Sequence, residues 1–112
     1  MVEDYRFGEI KILGKIYKSD VIIYPDYVDA NWWRGQSHDL AVSDLKAVIE
    51  SNPEVIIIGT GASGLMQVSK ETRDYLTGLG IETIILSTKE ACQEYNRTCN
   101  TRKAIACLHL TC

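Results

Sequence analysis

A cluster of glycines directly follows an apolar run near the middle of the chain. The run Glu54-Val-Ile-Ile-Ile leads into Gly59-Thr-Gly-Ala-Ser-Gly64. Its four consecutive β-branched residues indicate a strand that is buried on both faces. Backbone N–H groups in such a turn can hold an anion, and the spacing G-x-G-x-x-G is typical of dinucleotide sites. The candidate ligand-binding residues of this glycine loop (residues 59–64) are Gly59, Thr60, Gly61, Ser63 and Gly64.

A full dinucleotide site needs more than this spacing. An acidic residue should end the next strand and hold the ribose, but the next predicted strand ends in Leu86-Ser87-Thr88. The chain is also too short for two mononucleotide-binding halves and has no Walker-type Gly-Lys-Ser/Thr, so no cofactor is predicted. A smaller anion at the loop is favoured, and Arg34, Arg97 and Arg102 are candidates to line that site. The alternative is that the glycines serve only a tight, packed turn.

Ser63 raises the question of a hydrolytic nucleophile. The pattern G-x-S-x-G would place a second glycine at position 65, but the glycine here comes one place early, at position 64. The base would have to be His38 or His109, the only histidines of the chain. His109 lies in a predicted apolar strand, where we expect a buried histidine with satisfied hydrogen bonds. These patterns predict no catalytic residue.

Both tryptophans lie side by side in an irregular segment that also carries Arg34. Adjacent residues of an extended segment point in opposite directions, so one of Trp32 and Trp33 can anchor the loop while the other stays exposed. Trp33 and Arg34 are candidate binding residues, since tryptophan and arginine are enriched at binding hot spots. The alternative is an anchored loop in which Arg34 is solvated or paired with a nearby aspartate. An exposed tryptophan would also make a homodimer reasonable.

The four cysteines lie in the last quarter of the chain without a Cys-x-x-Cys pair: Cys92, Cys99, Cys107 and Cys112. Zinc sites usually bring their ligands in close pairs, so no metal site is predicted. Small buried thiols and one terminal thiol are the expected arrangement. A redox or metal site of Cys107, His109 and Cys112 is the alternative, because residues 107 and 109 share one face of a strand.

The composition restricts the class of protein. A chain of 112 residues with 46% hydrophobic and 24% charged residues fits a single globular domain over residues 1–112. Its net charge of −3 argues against a nucleic-acid partner, which would require a basic excess. The apolar runs are too short to cross a bilayer, and the acidic N-terminus lacks a signal-peptide core. We therefore expect a cytoplasmic protein that binds neither nucleic acid nor membrane.

Alternating strands and helices must position the candidate residues. Strands are predicted at residues 5–12 and 16–24 as an antiparallel hairpin or meander, with a turn at residues 13–15. Further strands are predicted at 54–58, 81–86 and 103–110, the last in a central position. The predicted helices are 43–51 with a cap at Ser43, a second starting at Ser69 or near Ser63, and a third capped by Thr88. The order β-β-α-β-α-β-α-β indicates an α/β fold with a mixed sheet covered by helices.

The chain also resembles a known family over almost its whole length. The more specific segments are Thr88-Lys-Glu-Ala-Cys-Gln-Glu-Tyr-Asn96 and the ending Leu108-His-Leu-Thr-Cys112. Other matching positions are Phe7-Gly8, Trp33-Arg34, His38, Ile57-Ile-Gly-Thr-Gly61, Gly80-Ile81 and Arg102. On these residues the chain is similar to the small Mth-type domain family, which includes an animal adipogenesis-associated protein and a mitochondrial complex I assembly factor.

The resemblance implies a single three-layer α/β domain around a mixed sheet, without established catalytic residues. Its eukaryotic relatives act in assembly or regulation. The favoured hypothesis is therefore a non-enzymatic binding or assembly module with a protein partner. The alternative is a small-molecule or anion-binding protein, or an enzyme, that uses the glycine loop with Arg34 or Arg102 turned inward. The matching positions expected to meet at one surface are Trp33, Arg34, Gly59, Gly61, Tyr95, Asn96 and Arg102.

Overall fold

A computed structural model describes residues 1–35 and 38–111. The helices are α1 (Lys46–Glu50), which follows a 3₁₀ turn at Val42–Leu45, α2 (Lys70–Gly78) and α3 (Thr88–Thr98). The strands are β1 (Val2–Arg6), β2 (Glu9–Ile12), β3 (Lys15–Tyr17), β4 (Val21–Ile23), β5 (Val28–Asp29), β6 (Asp39–Leu40), β7 (Val55–Gly59), β8 (Gln67–Val68), β9 (Glu82–Leu86) and β10 (Ala104–Leu108). Within these described ranges, no helix is long and apolar enough to cross a bilayer.

The central sheet has five strands in the order β5-β4-β10-β7-β9. Strand β7 is parallel to both β10 and β9, whereas β4 pairs antiparallel with β10 and with β5. The sheet is therefore mixed, and β10 occupies the predicted central position. The register pairs Gly59 with Leu86 and with Leu108, so the carboxyl ends of three parallel strands lie at the same edge.

The central sheet is covered on both faces. Val55 and Ile57 of β7 belong to a core shared with α3 and the N-terminal strands. Ile56 and Ile58 belong to the opposite core, which includes Leu45, Val48 and Leu76 from the α1 and α2 side. All four residues of this apolar run are fully buried, as their β-branched sequence predicted. The three-layer α/β architecture is confirmed.

The N-terminal region differs from the prediction. Strands β1, β2 and β3 form a separate antiparallel sheet, with the predicted turn at Leu13-Gly14 between β2 and β3. The single strand predicted at 5–12 is wrong, because the chain reverses at Phe7-Gly8, where Gly8 has a φ of 77°. The strand predicted at 16–24 is also wrong, since it breaks after Tyr17 and resumes as β4 in the central sheet. The antiparallel meander itself is confirmed.

Helix α2 begins where the sequence indicated. The Ser69 hydroxyl accepts the Thr72 N–H at 3.2 Å, whereas the alternative start near Ser63 is wrong because β8 intervenes. Leu76 of this helix is buried, whereas Leu79 directly after it is 49% exposed.

Two predicted helix caps are wrong because their hydroxyls are not the groups that start the helices. The first helical turn begins after Ala41, whose N–H donates to the Asp44 carboxylate at 2.9 Å, so Ser43 lies inside the turn. Ser87 occupies the cap position of α3, and Thr88 lies inside the helix. The Thr88 hydroxyl instead accepts the Gly61 N–H at 2.8 Å and donates to the His109 carbonyl at 2.5 Å.

Gly59→Ala is expected to destabilise the fold by about 1–3 kcal/mol, the usual cost of overpacking a core. A methyl group at position 59 would lie 2.9 Å from Leu108 Cδ2 and Thr88 Oγ1, and 3.1 Å from the Thr88 Cα. Urea unfolding monitored by circular dichroism measures this loss. Gly78→Ala is the matched control, since nothing lies within 4 Å of a methyl group there. Equal stability of Gly59→Ala and wild type would contradict this packing.

Candidate functional site

Strand pairing brings an acidic and a basic side chain together at the carboxyl edge of the sheet. Strands β4 and β10 run antiparallel with Val21 opposite Leu108, so Asp20 before β4 lies beside His109 after β10. The Leu110 N–H fixes this arrangement by donating to Asp20 Oδ1 at 2.8 Å. Arg34 reaches the same point from the loop that follows β5.

The three side chains form a close cluster, the Asp20–Arg34–His109 cluster. Asp20 Oδ2 lies 2.8 Å from Arg34 Nη2 and 2.8 Å from His109 Nδ1. Arg34 Nη2 and His109 Nδ1 are 3.0 Å apart. The side chains of Arg34 and His109 are only 4% and 6% exposed, so both are withdrawn from water. Within the cluster, a single carboxylate oxygen of Asp20 therefore contacts nitrogen atoms of both Arg34 and His109.

The environment keeps Asp20 ionised. Burial alone would raise the pKa of its carboxyl, but hydrogen bonds from His109, the Leu110 N–H and Arg34 outweigh burial and lower the pKa. A carboxylate oxygen 2.8 Å from Nδ1 would repel a bare nitrogen lone pair, whereas it accepts a hydrogen bond from Nδ1–H. We therefore assign the proton of neutral His109 to Nδ1, with Arg34 donating to the carboxylate.

The other ring nitrogen of His109 has a different environment. Nε2 is buried and has no hydrogen-bond partner within the described part of the chain. Leaving a buried polar atom unpaired costs roughly 1–3 kcal/mol. The expectation of a buried histidine is correct, but the expectation of satisfied hydrogen bonds holds only for Nδ1.

The two tryptophans have separate roles beside this cluster. Trp32 is 7% exposed, and its Nε1–H donates to the Asp44 carbonyl at 3.1 Å. Its ring lies 4.7 Å from the Arg34 Cζ, a cation–π arrangement that stacks the guanidinium against it. Trp33 is 85% exposed. One tryptophan therefore anchors the loop and the other faces solvent, as the sequence predicted.

A cavity of about 360 Å³ opens between these groups. Its walls combine aromatic rings with the polar atoms of the cluster and two further polar residues. The lining residues are Ser19, Asp20, Asn31, Trp32, Trp33, Arg34 and His109. This volume lies at the small end of the range for ligand pockets, roughly 300–1,000 Å³.

The glycine loop lies next to His109 but uses its backbone groups internally. Thr60 N–H donates to the Leu86 carbonyl at 2.9 Å, and Ala62 N–H donates to the Thr111 carbonyl at 3.0 Å. Gly61 N–H donates to Thr88, and Gly64 N–H closes a turn onto the Gly61 carbonyl at 3.3 Å. The ligand role predicted for Gly59, Thr60, Gly61, Ser63 and Gly64 stays a prediction, while these bonds support the alternative of a packed turn.

The remaining candidates do not meet at the same surface, so that expectation is wrong. Arg102 pairs with Glu82 at 2.8 Å, and Glu82 lies opposite Val55 at the amino end of the parallel strands. Tyr95 is 3% exposed in the core. The Asn96 side chain bonds the Val2 backbone at 2.8 Å and 2.7 Å. These three residues therefore lie away from the Asp20–Arg34–His109 cluster. Arg97 pairs with Glu94 at 2.6 Å.

Two buried thiols, Cys92 and Cys107, are in environments that suppress the thiolate. Burial raises the pKa of Cys92 to about 12. Burial also raises the pKa of the fully buried Cys107, although Arg34 acts in the opposite direction. Cys112 lies outside the described residues, so the hypothesis of a site formed by Cys107, His109 and Cys112 stays a hypothesis. No group of three or more His, Cys, Asp or Glu within residues 1–35 and 38–111 is arranged to hold a metal ion.

Asp20 is the residue of the cluster that sequence reasoning missed. It carries no motif, and it falls inside the strand that the sequence predicts at 16–24. The only available signal is an acidic residue immediately before the apolar triplet Val21-Ile-Ile. That triplet is compatible with a buried strand, and an acid at the end of such a strand needs a partner.

The fold and the cluster define the class of protein. It is a small α/β domain with a five-stranded mixed sheet, a separate antiparallel N-terminal sheet and a buried ionic cluster beside a cavity. The family model described as "Protein of unknown function (DUF498/DUF598)" matches residues 2–109, and the chain belongs to this family.

Solved structures confirm the fold and the resemblance to Mth-type domains. The conserved hypothetical protein PH1505 from Pyrococcus horikoshii OT3 is 28% identical with a TM-score of 0.89, over 100% of this chain and 99% of its own. MT938 is 30% identical with a TM-score of 0.81, over 100% and 98%. A Bordetella pertussis protein described as a Mth938-like domain is 19% identical with a TM-score of 0.77, over 97% and 84%.

Asp20→Asn is expected to destabilise the protein by about 3 kcal/mol, because it replaces the carboxylate that pairs with the buried Arg34 guanidinium at 2.8 Å by a neutral amide. Chemical denaturation at neutral pH measures the loss. Asp4→Asn is the matched control: Asp4 pairs with Arg6 at 3.4 Å with both side chains largely exposed, and its loss should change stability by less than about 1 kcal/mol. Equal effects of the two substitutions would contradict a buried ionic cluster.

The stabilisation from Asp20 is expected to be lost on acidification. The folded structure lowers the pKa of its carboxyl below the ordinary value of 3.8, so the unfolded chain takes up this proton first. The contribution is therefore fully present above the unfolded pKa and disappears as the pH falls through the folded pKa. The difference in free energy of unfolding between wild type and Asp20→Asn should narrow progressively as the pH falls below about 5. If this free-energy difference widens in acid, the folded structure raises the pKa of Asp20, which contradicts the prediction.

Proposed function

We propose that this chain is a cytoplasmic, non-enzymatic binding module that assembles with or regulates a protein partner. The observation that carries this proposal is the exposure of Trp33. Its side chain is 85% exposed directly beside a cavity, although the neighbouring Trp32 is buried. Exposed tryptophans next to a concave site with arginine are typical of the anchors that dominate protein–protein binding.

The immediate surroundings of His109 support a binding role over catalysis. A histidine activates a hydroxyl nucleophile by accepting its hydrogen. Ser19, which lines the same cavity, instead donates its hydroxyl hydrogen to the Ala30 carbonyl. The Thr88 hydroxyl donates to the backbone carbonyl of His109 and therefore does not donate to its ring. Cys107 has a raised pKa and stays a neutral thiol. The groups of Ser19, Thr88 and Cys107 thus have other roles.

The rigid support beneath Trp33 favours recognition of a preformed shape. Arg34, the next residue, is held by Asp20 and by the Trp32 ring. Gly35 N–H donates to the Asp44 carboxylate at 3.0 Å, and the backbone carbonyl of Asp44 accepts the Trp32 Nε1–H. The backbone that carries Trp33 is thus fixed on both sides. A preorganised anchor loses less conformational entropy when it binds.

Small-molecule binding is the second candidate, and one observation favours it. The side chain of Arg34 is turned inward towards Asp20 and is only 4% exposed. Because the N–H groups of Thr60, Gly61, Ala62 and Gly64 bond within the protein, we place this candidate site in the Trp-lined cavity. The glycine loop then supports His109 through the 3.0 Å bond from His109 N–H to the Gly59 carbonyl.

Trp33→Ala is expected to abolish partner capture while leaving the fold intact. The tagged protein is used to capture partners from extract of its native host, and bound proteins are quantified by mass spectrometry. Truncation of an anchoring tryptophan should cost about 2 kcal/mol or more in binding, which is more than a tenfold loss of affinity. The free energy of unfolding should change by less than about 0.5 kcal/mol, because Trp33 is exposed.

Phe7→Ala is the matched control, since Phe7 is also aromatic and 66% exposed but lies in the turn between β1 and β2 and does not line the cavity. It should leave capture unchanged. Light scattering of the purified protein is measured in parallel, and a dimer that Trp33→Ala converts to a monomer would identify a second copy as the partner. A wild-type protein that is monomeric and captures nothing above background would contradict the assembly role. Equal capture by Trp33→Ala and wild type would contradict the proposed surface.

A further inference from the structure

The cavity beside Trp33 contains an unusual acceptor. His109 forms part of its wall and is 5% exposed. Nδ1 is satisfied by Asp20, while Nε2 is buried and lacks a hydrogen-bond partner among the described residues. Proteins seldom leave buried polar atoms unpaired, so such an atom calls for a partner such as water, an ion or a ligand. A group supplied from outside the chain would satisfy this atom.

We propose that the cavity lined by Trp32 and Trp33 binds a small neutral molecule whose ring carries a hydroxyl group, and that this hydroxyl donates its hydrogen to His109 Nε2. The inference deepens the second candidate function, on which it rests, by naming the chemistry of the ligand. Aromatic alcohols and sugars share this chemistry.

The first step concerns the direction of the hydrogen bond. The Asp20 carboxylate at 2.8 Å keeps the imidazole proton on Nδ1. Nε2 of the neutral ring therefore carries a lone pair and can only accept. The matching ligand group is a donor such as a hydroxyl.

The second step concerns charge. Arg34 is the cationic side chain that lines the cavity, and the Asp20 carboxylate lies 2.8 Å from its Nη2. With His109 neutral, the charges of the cluster sum to zero. An anionic ligand would find no excess positive charge and would be placed close to the Asp20 carboxylate. The charge balance therefore favours a neutral ligand.

The third step concerns shape. Trp32 provides an aromatic wall, and the exposed Trp33 forms another part of the lining. Indole rings bind the flat faces of aromatic and sugar rings, while Ser19 and Asn31 add polar groups to the lining. The volume of about 360 Å³ accepts one ring with its substituents.

The fourth step concerns access to Nε2. Because Nε2 is buried, a covering side chain has to move before the hydroxyl can reach it. His38 lies edge-on to His109 with ring centroids 5.7 Å apart, and it is exposed. An exposed side chain changes rotamer on the picosecond to nanosecond scale, so a movement of the His38 ring would not limit binding.

The test uses the full chain with ¹⁵N-labelled histidine and four probes. Phenol and D-glucose are neutral ring compounds with hydroxyl groups and represent the two sources. Anisole keeps the ring and the oxygen of phenol but carries a methyl group in place of the donated hydrogen, and benzoate is the anionic counterpart. We expect phenol or D-glucose to shift the His109 Nε2 resonance in a saturable manner, with at least tenfold weaker binding of anisole and benzoate. The relative affinities for phenol and D-glucose also show whether the cavity prefers an aromatic ring or a sugar ring.

Two variants locate the binding. Trp33→Ala should weaken binding of the preferred probe about tenfold, because it removes one aromatic wall but no core contact. Phe7→Ala lies elsewhere and should leave binding unchanged. A probe that shifts His109 but binds Trp33→Ala with full affinity would overturn the assignment to this cavity.

Other outcomes overturn the inference directly. The absence of a saturable His109 shift from both hydroxyl probes up to about 10 mM would exclude a functional hydroxyl site. Tighter binding of benzoate than of phenol would exclude a neutral ligand. Neither result affects the capture of a protein partner through Trp33. Failure of the hydroxyl-ligand inference is therefore distinguishable from failure of the assembly role. Conversely, probe binding without protein capture would support this inference and contradict the assembly role.

Discussion

Strand β10 is enclosed on every side, and the rest of the structure depends on this enclosure. It pairs with β4 on one edge and with β7 on the other, and its residues enter both hydrophobic cores. A strand in this position must be apolar along its length, because a polar side chain on either face would be buried. The polar residue that follows, His109, can exist at the sheet edge only because other elements supply its partner.

Asp20 is this partner of His109, and it connects the site to the fold. The antiparallel pairing of β4 and β10 puts Asp20 beside His109, so the carboxylate satisfies Nδ1 and brings Arg34 out of water. Such buried charges are costly unless each has a counter-charge and hydrogen bonds. The cluster thereby ties the loop containing both tryptophans to the sheet. The cavity lies where these segments meet, since its polar lining comes from the cluster and its aromatic lining comes from the loop with both tryptophans.

The glycine loop helps to position the end of β10 and with it His109. Gly59 leaves room for Thr88 and Leu108, and the Thr88 hydroxyl joins the Gly61 N–H to the His109 carbonyl. The glycine spacing is thus compatible with a packing role, because glycines allow helix α3, the loop and the end of β10 to approach one another closely. Whether or not this loop also binds a ligand, its contacts help to position His109, which lines the cavity.

The sequence by itself determined the fold class and the buried segments. The apolar runs at 55–58 and 104–108, the cap at Ser69 and the contrast between the two tryptophans were readable because each depends on local periodicity or neighbouring residues. The reversal at Gly8 and the break between β3 and β4 were missed, since short strands give little periodic signal. Only the tertiary structure decided the site. Asp20, Arg34 and His109 are far apart in sequence, and their meeting depends on the register of β4 against β10. A one-residue shift of that register would reverse which side chains face the cavity.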